Sequence, residues 1–446
     1  MKSVTESAAP SHSGSPLRRA FGLFRGWRTP QHRDGLALIL STGLTSGLGL
    51  VFWILAARLY DPATVGLNST LLSSMTLLGA AAQLNLGNAM LRFVPVAGGR
   101  TRGLVVACYA VAIAAAAVAG AVFALGSSWW SPVLHAAFGE SHGESQLLAF
   151  FVVSTPVWTM FVLQDYVLPA IKRATVVPLE NLVFSVLKIL FLGGAAVLGM
   201  RSGIVVAWVG ATALIVLVTT AWLARVLPRR SAADPVPPPF AVRDITSFIR
   251  ADYAGSVFLQ AAVFGLPLVV LARLGPEAAA VYGITWQIAY AFYLVVDGMG
   301  QSLVAHIAAD PDRLEAARRS MISKAMLLLV PGVLVCAVVA YPVLSLFGPL
   351  YADEGGLLLV LLALSAIPNV ITWSTVWAAR VHRDGRILFW LPAAITTAVF
   401  GASWFLMPVL GIIGTGVAWL GVQSVAAAGV LVVSAFRSRG RRALSA

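Results

Sequence analysis

Charged side chains are scarce in this chain: they make up 11% of its 446 residues, whereas 59% of the residues are hydrophobic. A water-soluble protein of this size needs more polar surface than such a composition supplies. The apolar residues fall in long continuous runs rather than in the alternating pattern of barrel strands. The composition therefore excludes a soluble protein and predicts an all-α polytopic membrane protein.

Cysteine is nearly absent, since Cys108 and Cys336 are the only two and both lie inside apolar runs. A disulfide or a metal site is therefore not expected. A phosphate-binding loop, an HExxH motif and a nucleophile elbow are also missing from the sequence. His and Glu residues in the loop near 127–146 have no ligand spacing typical of a metal site. We expect no catalytic residue, no cofactor and no metal.

The sequence contains long apolar runs with short connections between them. A spanning helix needs about 20 apolar residues, so the chain can hold about twelve spans. We predict them at 35–57, 64–91, 103–126, 147–170, 177–199, 203–224, 248–272, 280–307, 321–348, 355–378, 387–407 and 410–435.

The positive charges indicate the orientation of these spans. With the N-terminus inside, 27 of the 31 Lys and Arg residues fall on the cytoplasmic side. Such a bias predicts a multi-pass protein of the cytoplasmic (inner) membrane with both termini cytoplasmic. The net charge of +13 is then a topology signal. No soluble face carries it, so a nucleic-acid partner is not expected.

A short polar corner, Ala57–Gly66, returns later in the chain as Ala272–Gly283. Each copy separates two long apolar runs, which indicates two halves of similar design. A Pro-rich segment between the halves cannot span the bilayer and reads as a semi-rigid linker. We predict a cytoplasmic tail at 1–33, six-helix bundles at 34–226 and 244–436, a cytoplasmic linker at 227–243 and a basic tail at 437–446.

The second and eighth spans each have a polar face. In the second span it consists of Ser69, Ser73, Thr76, Ala80, Gln83 and Gly87; in the eighth, of Gln287, Tyr290, Leu294, Asp297 and Gln301. These residues recur at steps of three and four and so share one side of a helix. Two interpretations fit: a tightly packed polar interface, or walls of a water-filled cavity between the halves.

Ionisable groups inside predicted spans are the main candidates for function, because burying a charge at mid-bilayer costs at least about 2.5 kcal/mol. Lys188 is the deepest cation, and it either attracts an anionic substrate group or pairs with Asp297. We expect Asp297 to be functional. Asp165, Glu180 and Asp252 lie near the cytoplasmic ends of their spans, where solvation is expected.

The corner Arg58–Gly66, followed by Leu86–Pro95, resembles the polysaccharide-exporter (Wzx-like flippase) branch of the MATE-like MOP superfamily. The resemblance covers about residues 35–436. It implies alternating-access flipping of an undecaprenyl-diphosphate-linked oligosaccharide for cell-surface polysaccharide biosynthesis. Membrane lipids and glycan-assembly proteins are the implied partners.

Basic groups near the cytoplasmic mouth would then bind the diphosphate. The candidate binding residues are Lys188, Arg250, Arg92, Arg33, Gln83 and Gln301, and the cavity or coupling carboxylates are Asp297, Asp165 and Asp252. A cation-coupled multidrug antiporter of the same superfamily is the alternative, and it predicts a pocket lined by aromatic rings and a carboxylate. A membrane glycosyltransferase or polymerase is a third class, disfavoured because no long exterior loop is present.

Overall fold

The computed structural model describes residues 30–138, 143–227, 242–307, 313–382 and 384–445. Side chains are described from Leu44 in the first helix and from Tyr253 in the first helix of the second half. These residues form helices and turns and contain no strand. The all-α prediction is confirmed for this part of the chain.

Twelve of the helices are long, and three are short. In chain order they are α1 (Pro30–Leu59), α2 (Pro62–Ala82), α3 (Leu86–Phe93), α4 (Thr101–Leu125), α5 (Ser127–Trp130), α6 (Pro132–Phe138), α7 (Gly143–Ala170), α8 (Val176–Val197), α9 (Gly203–Val226), α10 (Val242–Leu274), α11 (Pro276–Ile307), α12 (Leu314–Ser345), α13 (Pro349–His382), α14 (Gly385–Leu410) and α15 (Ile413–Ser445). Two 3₁₀ turns, Val94–Val96 and Gly98–Arg100, link α3 to α4.

Eleven of the described helices are long and apolar enough to cross a membrane, and α1 adds the shorter apolar segment Leu44–Leu59. The chain is therefore a multi-pass membrane protein, as its composition predicts. The membrane it occupies and the side on which its termini lie remain predictions. The boundaries of the two bundles also remain a prediction, because most of the linker at 227–243 is outside the described residues, as is most of the tail at 1–33. α15 continues into the predicted basic tail.

The helix that follows the first corner starts with a well-formed cap. The Asp61 side chain accepts a hydrogen bond from the Thr64 backbone N–H at 2.9 Å. Pro62, the first helical residue, has no N–H to satisfy. Asp61 and Pro62 therefore define where α2 begins, and this helix start can be predicted from the sequence.

The prediction of one continuous span at 64–91 is wrong. α2 ends at Ala82 and the helix resumes as α3 at Leu86. Between them, Leu84 and Asn85 adopt left-handed backbone conformations, with φ of 51° and 57°. This conformation interrupts the helical hydrogen bonds and is uncommon for a leucine. Residues 83–85 contain no glycine or proline, so the sequence gives no local signal for the break. We attribute it to tertiary packing.

The two halves of the chain meet at the end of the molecule that carries both corners, here named the corner end. Gly66 of α2 lies directly against the backbone of Pro276 and Ala280 in α11. One turn further along, Ser69 contacts Gly283. The small residues of both corners therefore allow two helix backbones to approach closely.

The apolar core has a different organisation at the two ends. At the corner end a single cluster contains residues of both halves, among them Phe52, Leu71, Tyr282 and Phe347. At the opposite end, here named the basic end, each half has a cluster of its own. The first is built around Leu86, Met90, Val105 and Leu163, and the second around Val296, Leu303, Met321 and Val370. The halves therefore share an apolar core at the corner end and have separate apolar cores toward the basic end, although Tyr253 still donates a hydrogen bond to the Ala81 carbonyl across them at 2.7 Å.

Candidate functional site

The polar faces of α2 and α11 line the cleft between the halves. Near the corner end, Ser69 is buried against the opposite helix. Further toward the basic end, Ser73 and Thr76 are only half-buried, and Gln287 and Gln301 are exposed. The two faces therefore pack against each other near the corner end, while a water-filled cavity beyond it remains a prediction.

A cavity of about 130 Å³ lies in the second half, beside this cleft. Helices α10, α11, α13, α14 and α15 all contribute to its wall. The aromatic and polar residues that line it are Gln260, Tyr290, Tyr293, Asp297, Asn369, Thr372, Trp373, Thr396, Trp419 and Gln423. None of the residues that line this cavity is a lysine or an arginine.

Asp297 is the one carboxylate of this cavity, and two nitrogen donors hold it. Trp373 Nε1 donates to one of its oxygens at 3.2 Å, and Gln301 Nε2 donates to the other at 2.8 Å. An ionised carboxylate has about four acceptor sites, so Asp297 can accept further hydrogen bonds from a ligand. Sequence reasoning placed Asp297 and Gln301 in the site, and the structure brings these two together.

Three aromatic rings that line the cavity, Tyr290, Tyr293 and Trp419, pack against Trp286 behind them. Trp286 and Trp419 are stacked, with ring centroids 4.9 Å apart. The Tyr293 and Ser365 hydroxyls are hydrogen-bonded to each other. Rings of this kind offer flat apolar surfaces and electron-rich faces, while the amides and hydroxyls around them fix the orientation of a ligand. The arrangement suits either a sugar unit or an organic cation.

Most of these residues were missed by the sequence analysis. One face of α13 carries residues at positions i, i+3, i+4 and i+7, namely Asn369, Thr372, Trp373 and Val376. The polar residues of α2 and α11 follow a similar helical spacing. That periodicity is a signal that could have found them. Gln260 and Gln423 are isolated amides in apolar helices, and only helix packing brings them to the same cavity.

Lys188 does not pair with Asp297, so that interpretation is wrong. Its ammonium lies over three rings of the first half: Nζ is 4.3 Å from the centroid of Trp208, 4.9 Å from Phe184 and 5.2 Å from Phe52. The residue is 5% exposed. The faces of the rings supply negative potential in place of a carboxylate. We interpret Lys188 as a buried cation that ties α1, α8 and α9 together.

The expectation that Glu180 and Asp165 are solvated is also wrong. Glu180 is 5% exposed, and Thr219 Oγ1 donates to its Oε1 at 3.2 Å. Asp165 is half-buried: its Oδ1 is fully buried and has no hydrogen-bond partner, while its carboxylate has a side-chain hydrogen bond with Asn181. Neighbouring helices therefore cover Glu180 and one oxygen of Asp165.

The basic candidates are only partly placed by the structure. Arg92, at the end of α3, is exposed and lies over the Phe93 ring, 5.5 Å from its centroid. The side chains of Arg33, Arg250 and Asp252 lie outside the described residues, so their assignments stay predictions. Gln83, at the helix break, packs with the Tyr166 ring against Gly87.

Tyr166 connects the two halves electrostatically. It belongs to α7 of the first half, yet it lies close enough to interact with both Asp297 and Arg380 of the second half. Gln83, Tyr166, Asp297 and Gln301 therefore occupy the same region of the cleft. Gln83, Asp297 and Gln301 are predicted site residues of this group, whereas Tyr166 was not predicted and Lys188 lies apart.

Solved structures of MATE family transporters share this fold. An inward-facing multidrug-resistance MATE transporter of the MOP superfamily matches with a TM-score of 0.68 at 16% identity, over 90% of this chain and 96% of its own. An outward-facing structure of such a transporter gives 0.59 at 16% identity, over 89% and 92%. A mutant of the Vibrio cholerae MATE transporter VcmN gives 0.58 at 15%, over 89% and 94%.

No protein-family model and no curated protein sequence matches the chain. At 15–17% identity the structural likeness shows the fold alone. The MATE-like part of the predicted resemblance is therefore confirmed at the level of fold. The polysaccharide-exporter branch remains a prediction.

Proposed function

We propose that this chain is a membrane transporter that moves a lipid-linked oligosaccharide from its basic end to its corner end by alternating access. One observation carries the proposal: the halves share an apolar core at the corner end and have separate cores at the basic end. This is the geometry of a transporter closed on one side. Rocking of the halves would then open the other side.

The chemistry of the cleft supports a sugar cargo. Its walls on α2 and α11 carry hydroxyls and amides, which exchange hydrogen bonds with sugar hydroxyls without fixing one orientation. The cavity beside it adds flat rings and the acceptor oxygens of Asp297. Arginines at the basic end, such as Arg92 and Arg380, suit a diphosphate, which carries negative charge.

A second candidate is the export of organic cations. The observation that favours it is the Asp297 cavity, where one carboxylate and several ring faces meet without a lining lysine or arginine. Quaternary and protonated amines bind in such surroundings. The MATE-like fold of the chain is equally compatible with an organic cation as the cargo.

Reconstitution separates the two candidates. The purified full-length protein is placed in liposomes, and the probe is a polyprenyl-diphosphate oligosaccharide whose sugar is scored by its accessibility to an added glycosidase. We expect transport to exceed that of empty liposomes at least tenfold. An Asp297→Ala variant should lose most of this transport. The matched control is Asp353→Asn, at an exposed carboxylate that accepts a hydrogen bond from the Tyr341 hydroxyl. This variant should keep its transport.

The same liposomes are tested with tetraphenylphosphonium as a cation probe. Movement of this cation without movement of the glycolipid would overturn the oligosaccharide proposal in favour of the second candidate. In cells, deletion of the gene should cause lipid-linked oligosaccharide to accumulate on the cytoplasmic face. Normal surface glycan after deletion would count against the proposal.

A further inference from the structure

The Asp297 cavity is small for a ligand site. Its volume is about 130 Å³, whereas pockets that enclose a drug-sized ligand measure roughly 300 to 1,000 Å³. A lipid-linked oligosaccharide therefore cannot enter it whole. If the chain transports such a cargo as proposed above, the cavity takes one sugar unit, and its lining decides which kind of sugar fits.

The carboxylate of Asp297 is held by neutral groups. Its two hydrogen-bond donors are the Trp373 indole and the Gln301 side-chain amide. Neither donor carries a charge, so they fix the position of the carboxylate without cancelling its negative charge. Asp297 therefore gives the cavity a fixed anionic group.

The rest of the cavity wall supplies no positive charge. Its other polar side chains are amides and hydroxyls, such as those of Asn369 and Thr372, and no lysine, arginine or histidine is among the described residues that line it. Arg380 lies over the Trp377 ring, 4.3 Å from its centroid, one helical turn nearer the basic end than Trp373. It is not a lining residue. An anionic group in the cavity would therefore face a carboxylate without a cation in the wall.

The charge of a sugar unit decides how it interacts with this wall. Like charges enclosed by protein repel more strongly than in open water, because the effective dielectric is lower. A sugar carboxylate also has no hydrogen to donate to Asp297, whereas a sugar hydroxyl does. A protonated sugar amine donates hydrogens and adds opposite charge. The faces of Tyr290, Tyr293 and Trp419, which line the same cavity, attract a cation as well.

We propose that Asp297 makes this cavity a charge-selective subsite for one sugar unit. The subsite takes a protonated amino sugar in preference to a neutral sugar, and it rejects a sugar acid. This inference rests on the proposed function and specifies its substrate. The cargo would be negative at its diphosphate, which the arginines of the basic end suit, and neutral or positive at the sugar that enters the cavity.

Liposomes that contain the full-length protein test this selection with three matched probes. These are polyprenyl diphosphates that carry a single glucosamine, glucose or glucuronic acid, and each is scored by oxidation of its sugar with periodate, a membrane-impermeant oxidant. The wild-type protein should move the glucosamine probe at least threefold faster than the glucose probe. It should move the glucuronic acid probe at least tenfold more slowly than the glucose probe. Equal rates for glucose and glucuronic acid would overturn the proposal.

Two variants assign the selection to the cavity. Asp297→Asn keeps the size of the side chain and removes its charge, so the ratio of glucuronic acid to glucose transport should rise at least fivefold. Asn369→Asp adds a second carboxylate to the same wall and should raise the preference for glucosamine over glucose. Each ratio is measured within one protein, so a general loss of rate does not affect it. Asp353→Asn is again the matched control and should keep the wild-type ratios. Unchanged ratios in Asp297→Asn would place the selection elsewhere and overturn the proposal.

A binding measurement distinguishes the failure of this subsite from the failure of the proposed function. If none of the three probes crosses the membrane, the oligosaccharide function is wrong, and thermal unfolding in detergent decides the subsite. Methyl glucosaminide should raise the unfolding temperature of the wild type and not that of Asp297→Ala, whereas methyl glucuronide at the same concentration should change neither. Equal shifts from both glycosides, or no shift from either, would overturn the subsite. Transport of all three probes at equal rates would remove the subsite and leave the proposed function standing.

Discussion

Arg58 binds the opposite half of the molecule: its Nε donates to the Leu346 carbonyl and its Nη2 to the Ser345 carbonyl, each at 2.8 Å. Its counterpart in the second corner, Arg273, behaves differently. The Arg273 guanidinium lies 3.7 Å from the centroid of the Trp404 ring, within its own half. Of the two arginines in the repeated corners, Arg58 therefore bonds to the opposite half, whereas Arg273 packs within its own half.

We expect Arg58→Ala to shift the molecule away from the state closed at the corner end. Two exposed hydrogen bonds of a charged group contribute about 1 to 2 kcal/mol, which corresponds to a population change of about tenfold. Distances between spin labels across the corner end measure this shift. Arg273→Ala is the control, and equal shifts in both variants would contradict a special role for Arg58.

Gly66→Ala should open the same end by steric conflict. A Cβ at this position would lie 1.8 Å from the Pro276 carbonyl oxygen, which is backbone and cannot move aside cheaply. Overpacking of this kind costs about 1 to 3 kcal/mol, here in the closed state. The spin-label distances across the corner end should lengthen, as with Arg58→Ala.

The matched control for Gly66→Ala is Gly49→Ala in α1, where no atom lies within 4 Å of the added Cβ. This variant should be neutral or stabilised by up to about 1 kcal/mol, because alanine favours a helix over glycine. A Gly66→Ala protein with unchanged distances and unchanged thermal unfolding would show that the corners do not restrain each other.

Lys188 substitutions should act through packing. Lys188→Met keeps an elongated apolar side chain among the three rings, so we expect its stability to change by less than about 1.5 kcal/mol. Lys188→Glu places an unpaired anion against electron-rich ring faces and should destabilise by about 3 kcal/mol or more. Thermal unfolding in detergent measures both. Loss of glycolipid transport in a stable Lys188→Met protein would instead indicate that the ammonium binds the cargo.

The cap at Asp61 predicts a pH dependence of stability. The hydrogen bond with Thr64 lowers the pKa of Asp61 below its ordinary value of 3.8. A lowered folded-state pKa means that the stabilisation is complete above the unfolded value and is lost as pH falls through the folded one. At pH 7, Asp61→Ala should cost about 1 kcal/mol. In thermal unfolding, the gap between wild type and variant should close in strongly acidic buffer; a constant gap would contradict this origin.

The fold could be predicted from sequence because the bilayer imposes simple rules. Apolar runs, the bias of positive charge and the capped corners are local signals that need no knowledge of packing. The break at Leu84 and Asn85 could not be predicted, since its left-handed backbone is held by contacts between helices. Predicted solvation of Glu180 failed for a similar reason: position along a span says nothing about which neighbours cover its end.

Sequence alone determined that this chain crosses a membrane many times in two repeated halves, and it pointed to Asp297 with Gln301 as part of a polar face. Hydrophobic runs and helical periodicity record these features along the chain itself. Tertiary structure decided which polar groups meet: Lys188 with three rings instead of Asp297, Asp297 with Trp373, and Arg58 with the opposite half. Those partners lie far apart in sequence, and only helix packing sets the distances on which their interactions depend.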